Sequence, residues 1–198
     1  GAVAGGTSAA AKARRNDEEA EITIFDKDKD ISYSGCGLPY YIGNKVKNRS
    51  QLVPRDASFF KQKYNVDIFT EHEVTNIDSQ IKKITVKNLK TKETHIENFD
   101  KLIISTGASA VIPNIEGIKN DNVFYLRNVQ SADKIKAFIN KNSPKKAVII
   151  GAGFIGLEMT ENLKELGIDI TLVQHSSQVM IPMDKDMALY IQKYLEKK

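Results

Sequence analysis

The apolar positions of this chain fall into two strand–helix–strand patterns with a stretch of alternating residues between them. In the second half, Lys146-Ala147-Val148-Ile149-Ile150 predicts a short buried strand. A helix over 157–166 follows, ended by Gly167, and then a second strand, Asp169-Ile170-Thr171-Leu172-Val173. In the first half, small residues from Thr7 to Arg15 predict a helix, and Glu21-Ile22-Thr23-Ile24-Phe25 a strand that ends at Asp26. No apolar strand precedes Gly1, so the chain is expected to start inside this first pattern. Between the two, the segments 66–69, 73–77, 83–87 and 94–96 alternate or run apolar and predict an antiparallel meander. Lys101-Leu102-Ile103-Ile104-Ser105-Thr106-Gly107-Ala108 predicts a buried strand entering a tight glycine turn, and residues 113–122 a linker.

These elements predict an α/β fold of two Rossmann-like dinucleotide-binding units, the first with an inserted antiparallel β-meander and the whole incomplete at both ends. The expected boundaries are 1–112 for the first unit, its first strand missing and its later part absent, and 123–198 for the second, of which this is the N-terminal part. Composition narrows the function. The 29 basic and 25 acidic side chains are scattered, and no basic stripe with interleaved aromatics appears, which argues against nucleic acid despite the net charge of +4. No apolar run reaches the roughly 18 residues of a membrane span, and no signal peptide is visible. One cysteine excludes a disulfide framework and suits a reducing, cytoplasmic location. His72, His95 and His175 lack metal-ligand spacing, so no metal is expected.

The chemistry concentrates at three places. The strand at 146–150 runs into Gly151-Ala152-Gly153-Phe154-Ile155-Gly156, a G-x-G-x-x-G at a strand-to-helix turn. Gly151 permits the tight turn, Gly153 lets a diphosphate approach the backbone, and Gly156 lets helix and strand pack closely. The diphosphate meets unspent N–H groups at the helix start. Where an acid ordinarily bonds the adenosine ribose of NAD stands Gln174, followed by His175, Ser176 and Ser177, which leaves the choice of NADH or NADPH open. The chain's opening, Gly1-Ala2-Val3-Ala4-Gly5-Gly6, repeats the turn with Val3 in place of the middle glycine, and the spacing to Asp26 fits a ribose-binding acid. The alternative for this opening is a flexible leader. Cys36, the lone cysteine, lies in Ser34-Gly35-Cys36-Gly37-Leu38-Pro39-Tyr40-Tyr41, where Pro39 marks the first turn of a short helix ended by Gly43-Asn44. It is either a packed thiol or, favoured as thiolate by the helix start, one that reacts with another molecule.

Gly1 to Gly6, Ser32 to Tyr41, Ser105 to Ala108 and Gly151 to Glu158, in that order, resemble the single-cysteine branch of the FAD-dependent pyridine nucleotide-disulfide oxidoreductases. That branch includes coenzyme A-disulfide reductases, NADH oxidases and polysulfide reductases. The resemblance implies that the first unit binds FAD: Gly1, Ala2, Val3, Ala4, Gly5 and Gly6 at its pyrophosphate, Asp26 with Lys27 beside it at the adenosine ribose, and Val74 at the adenine. Ser105, Thr106 and Gly107 close over it. The second unit takes NADH or NADPH, with Gly151, Gly153, Phe154, Ile155 and Gly156 at the diphosphate, Gln174 at the adenosine ribose and Glu158 where nicotinamide meets flavin. Cys36 is then the redox-active thiolate, forming a mixed disulfide with half of a small-molecule disulfide such as coenzyme A disulfide or polysulfide. Ser8, Lys12, Arg15 and Ser32 match substrate-contacting positions, against the plain alternative of a solvated helix face. Gly35 departs from the Asn that the family's reductase often carries there, which opens the site to polysulfide or another small persulfide. Two further readings stand beside this one: an NADH oxidase or peroxidase cycling through a Cys36 sulfenic acid, and a nucleotide-binding fragment without turnover. The full-length protein is implied to be a homodimer whose C-terminal domain completes the active site.

Overall fold

The computed structural model describes residues 1–197. Helix α1 (Gly5–Asn16) leads into strand β1 (Ile22–Asp26). A single 3-10 turn, Gly35–Gly37, precedes the short helices α2 (Leu38–Ile42) and α3 (Arg49–Leu52). Then come α4 (Ala57–Tyr64), β2 (Val66–Thr70), β3 (His72–Asp78), β4 (Lys83–Asn88) and β5 (Thr94–Asn98). The chain resumes regular structure at α5 (Val129–Asn142), followed by β6 (Lys146–Ile150), α6 (Phe154–Glu165), β7 (Asp169–Val173) and α7 (Lys185–Glu196). The described residues form two compact units: Gly1–Ser34 with Val53–Val111, and Gly35–Leu52 with Ile112–Lys198. The segment bearing Cys36 thus belongs with the second unit, whereas the sequence boundaries kept it inside the first; α2 packs on α5 and α6. No described helix is long and apolar enough to cross a membrane.

In the first unit β1 and β2 pair in parallel, Ile22 with Val66 through Asp26 with Thr70. The meander is therefore β3–β4–β5 alone, antiparallel, and Val66–Phe69 is not part of it. The reason is the crossover: a parallel pair needs a long connection, and α4 supplies it. Asp56 caps α4 by accepting the Phe59 N–H at 2.9 Å, and Asn65 ends it in the left-handed region at φ 47°. Small residues on α1 let it lie close on β1, with Thr7 and Ala10 buried. The core joins Ala2, Ala10, Ile24, Ile31, Phe60 and Val66, where each large apolar side chain contributes about 1.5–3 kcal/mol. Arg14, on the same helix, donates to the carbonyls of Tyr64 (2.8 Å), Asp17, Glu18, Ala20 and Asn65, tying α1 to the end of α4.

In the second unit β6 and β7 pair in parallel, Lys146 with Asp169 through Ile150 with Val173, and α6 is their crossover. It starts three residues earlier than expected, because Gly153 itself is its N-cap. Two expectations of burial fail. Val148 and Ile150 are 65% and 70% exposed, since α6 covers only one face of a two-stranded sheet. Residues 101–108 form no strand, and Ile103 and Ile104 stand exposed. An apolar run becomes a buried strand only when a neighbouring strand pairs with it, and none among the described residues does.

Candidate functional site

The two glycine turns are built to one plan. In the second unit the Gly151 N–H donates to the Val173 carbonyl at 2.8 Å, which draws the turn onto the end of β7. The buried Ala152 donates to Gln174 Oε1 at 2.8 Å, and its carbonyl accepts the Met180 N–H at 2.8 Å. Gly156 lies so near Gly151 that a Cβ there would stand 1.9 Å from the Gly151 oxygen. Gly151 itself holds φ +107°, a conformation that favours glycine.

The first unit repeats each of these bonds. Gly1 N donates to Phe25 O at 3.0 Å, Ala2 N–H donates to Asp26 Oδ2 at 2.5 Å, and Ala2 O accepts from Ser32 at 2.8 Å. A Cβ on Gly6 would stand 1.9 Å from the Gly1 oxygen, matching Gly156 and Gly151. So Gly1 and Gly6 make an ordered turn, not a flexible leader, although Val3 occupies the middle position. Ser105 closes on this turn: its Oγ donates to the Gly1 carbonyl at 3.3 Å, and its own carbonyl fills the place a Gly1 side chain would need. Thr106 is exposed and Gly107 takes φ +68°. Asp26 is buried, with Oδ1 accepting from Asp28 N–H at 2.8 Å.

Both turns can cradle an anion. Helices α1 and α6 begin at Ala4 and Gly153 without a side-chain cap and with no acid in the first turn, so their first N–H groups and positive dipole ends are unspent. A Cβ on Gly153 meets nothing within 4 Å, which leaves the backbone open to close approach. Phe154 and Ile155 stand exposed beside it.

Cys36 is exposed and free, on the 3-10 turn directly before α2. Five residues cannot hold a helix alone, and α2 is anchored by side chains far off in sequence. Tyr41 donates to Asp133 Oδ1 at 3.0 Å, and Arg49 Nε donates to Asp133 Oδ2 at 2.9 Å. Lys136 Nζ donates to the Tyr41 carbonyl at 2.5 Å and to Asn44 Oδ1 at 2.6 Å, and lies 4.3 Å over the Tyr41 ring. Burial, then the bond to Asp133, raises the Tyr41 phenol, while burial lowers the Lys136 ammonium against the opposing pull of Asp133. On the other side Gly43 sits on the fully buried Asn162, where any side chain would strike it.

The remaining predicted residues spread out. Ser8, Lys12 and Arg15 are all exposed and share one face of α1 at helical spacing. Ser32 holds φ 49° and joins the first turn through its backbone. Lys27 is exposed beside Asp26, Val74 is exposed on β3, and Glu158 is half-buried on α6. Sequence reasoning missed Asp133, Lys136 and Asn162, which act on residues far away in sequence, Asp133 on Arg49 and Tyr41 and Lys136 on Tyr41, and leave no local signal. It also missed Met180, whose backbone N–H bonds the second turn. Among the described residues no cluster of His, Cys, Asp and Glu could hold a metal.

Comparison with known proteins fits this geometry. The coenzyme A disulfide reductase of Staphylococcus haemolyticus (strain JCSC1435) is 45% identical over 187 residues, 94% of this chain and 42% of that protein. The structure of reduced Bacillus anthracis CoADR-RHD superposes with a TM-score of 0.96 at 44% identity, covering the whole of this chain and 36% of that one. An NAD-dependent persulfide reductase from A. fulgidus gives a TM-score of 0.94 at 37% identity over 100% of this chain and 37% of that one. The chain therefore spans less than half the length of the proteins it matches. The family description "Pyridine nucleotide-disulphide oxidoreductase" matches residues 1–198. With its α/β units and paired dinucleotide turns, the chain belongs to the pyridine nucleotide-disulphide oxidoreductase family.

Proposed function

We propose that this chain is the nucleotide-binding part of an FAD-dependent NAD(P)H oxidoreductase that reduces a small-molecule disulfide, coenzyme A disulfide or a polysulfide, through Cys36. The observation that carries the reading is the state of Cys36: free, exposed, and on a turn braced from α5 and α6, in a chain with two equivalent dinucleotide turns. The first turn, Gly1 to Gly6, with Asp26 and Ser105, would hold FAD; the second, Gly151 to Gly156, with Gln174, would hold NAD(P)H. Both fit, because each offers unspent N–H groups beside glycines packed too tightly for side chains. Bound flavin supplies the chemistry that side chains lack: it accepts a hydride and passes an electron pair to sulfur.

The chain's own part is thiol–disulfide exchange. Cys36 Sγ attacks one sulfur of the substrate, forming a mixed disulfide as the substrate S–S bond breaks and the leaving thiolate takes a proton from solvent. Over one turnover a disulfide, NAD(P)H and a proton become two thiols and NAD(P)+. Ser8, Lys12 and Arg15 present a polar, basic face suited to the phosphates of coenzyme A. The relatives named a coenzyme A disulfide reductase and a persulfide reductase support the sulfur substrate class.

The test uses the full-length protein loaded with FAD. NADH or NADPH oxidation should depend on added coenzyme A disulfide or polysulfide, and Cys36→Ser should abolish it while the yellow flavin absorbance persists. Normal turnover in that variant refutes the role of Cys36. Oxygen or peroxide consumption with NADH and no thiol substrate would select instead an oxidase cycling through Cys36 sulfenic acid.

A further inference from the structure

The helix that follows Cys36 is seated on a single side chain. Asn162 lies on α6, fully buried, with its Nδ2 donating to the Glu158 carbonyl at 2.8 Å. That bond fixes the plane of the amide and leaves Oδ1 buried with no hydrogen-bond partner among the described residues. An apolar side chain would fill the same place without an unpaired acceptor, so stability alone does not account for the amide. Gly43, at the end of α2, rests on it. A Cβ there would lie nearest Asn162 Oδ1, 2.7 Å from its Cβ and 2.9 Å from its Cγ. Gly43 has φ −76° and ψ 7°, a conformation open to any residue. Its glycine therefore serves the close approach and not the backbone angle. From α5, Asp133 holds the Tyr41 hydroxyl and Lys136 the Tyr41 carbonyl, gripping the same end of α2. Cys36 stands beyond the opposite end, exposed. The rise of a helix puts it about 10 Å from Gly43.

We infer that Asn162 is a positioning residue for Cys36: its amide sets the height at which α2 lies on α6 and, through α2, the place of the thiol. The inference rests on the proposed role of Cys36 and names what holds that thiol in place. Because α6 begins at the second glycine turn, one helix pair within one compact unit carries both the turn and the thiol. A helix gripped at one end acts as a lever on whatever its other end carries. A methyl on Gly43 falls about 1 Å short of an ordinary contact with Asn162 Oδ1, and α2 must part from α6 by that much to admit it. A shift of this size reaching the thiol is enough to matter. Misplacing a reacting group by about 1 Å costs up to ~100-fold in rate, because attack on a disulfide needs the right line of approach.

The test compares Gly43→Ala with Gly43→Ala/Asn162→Gly in the FAD-loaded full-length protein. The second change removes all three Asn162 atoms that the methyl strikes. One readout is amide hydrogen exchange over residues 36–46 without substrate; the other is kcat and KM for coenzyme A disulfide or polysulfide. Gly43→Ala should speed that exchange ~10-fold or more, since α2 loses its seat. It should lower kcat at least ~10-fold while KM, and NADP+ affinity by calorimetry, stay within about twofold. The double variant should return exchange and kcat to within about threefold of wild type. A loss confined to kcat marks a misplaced thiol, whereas general unfolding would move KM and affinity as well. If Gly43→Ala does not fold, Asn162→Ala removes the seat without a clash and should lower kcat about threefold or more with KM unmoved. Wild-type kcat in the variant used overturns the inference, and so does a double variant that regains slow exchange without regaining kcat. Normal turnover by Cys36→Ser overturns instead the role of Cys36, the reading on which the inference stands.

Discussion

Gly153 and Gly156 lie in one turn, yet the structure gives them separate jobs that substitution should split. A Cβ on Gly156 would stand 1.9 Å from the Gly151 oxygen and 3.0 Å from its carbon, about 1.4 Å short of the ~3.3 Å a carbon–oxygen contact needs. The obstacle is backbone, so helix and turn must part. Parting weakens the bonds Gly151 to Val173, Ala152 to Gln174 and Met180 to Ala152. Overpacking against a rigid neighbour costs about 1–3 kcal/mol, and each weakened bond adds up to about 1 kcal/mol. Gly156→Ala should therefore cost about 3 kcal/mol and lower the melting temperature by several degrees. A Cβ on Gly153 meets nothing within 4 Å, and its φ of −85° suits any residue. Gly153→Ala should keep its melting temperature within ~2 °C and lose affinity for the dinucleotide at least ~10-fold, because the methyl occupies the diphosphate's approach. Thermal melting and calorimetry with NADP+, run on both variants, decide it. Wild-type binding by Gly153→Ala would refute the approach of a diphosphate to that backbone, and an unshifted melt in Gly156→Ala would refute the packing.

Replacing Lys12 and Arg15 together by Ala should raise KM for coenzyme A disulfide about 10-fold, with the KM for polysulfide unchanged, since only the former carries phosphates; equal effects on both would return this face of α1 to solvent. Gly35→Asn should fold normally, as a Cβ there meets nothing within 4 Å, and should lower the KM for coenzyme A disulfide relative to polysulfide; an unchanged ratio of the two KM values would show that this position does not contact substrate. Tyr41 gives a pH dependence with a definite sign. Burial and Asp133 raise its phenol above the ordinary 10.0, so its contribution is complete below pH ~10 and falls as the pH rises past that value. Urea unfolding between pH 9 and 11 should show a slope toward instability that Tyr41→Phe reduces, with Lys136, whose ammonium burial lowers from its ordinary 10.5, left to titrate; an identical slope in Tyr41→Phe would remove Tyr41 as its source.

The second turn was legible because an apolar run, three glycines and a helix follow one another without a gap. The first was legible from spacing, since Gly1, Gly6 and Asp26 stand where the chain needs them despite Val3. Pairing was not. Val66–Phe69 has the pattern of a meander strand, but periodicity names no partner, and α4 carries it to β1 instead. Burial failed for the same reason at 101–104 and 146–150: an apolar run states what it would bury, and the covering element decides whether it does. The brace on α2 was invisible because Asp133 and Lys136 lie on a helix more than 90 residues away.

The comparison of the turns shows what such a motif consists of. Val3 breaks the G-x-G-x-x-G pattern, yet the first turn keeps every backbone bond of the second. The glycines that both share, Gly1 with Gly151 and Gly6 with Gly156, are those in close backbone contact. The turn's shape therefore comes from the outer two glycines and from an acceptor at the end of the partner strand, whether Asp26 or Gln174. The middle position is left free to vary with the ligand, and so is the charge of that acceptor. If each turn holds a dinucleotide as proposed, one backbone serves both ligands, and exchange at Val3 against Gly153 or at Asp26 against Gln174 should move ligand preference without moving the fold.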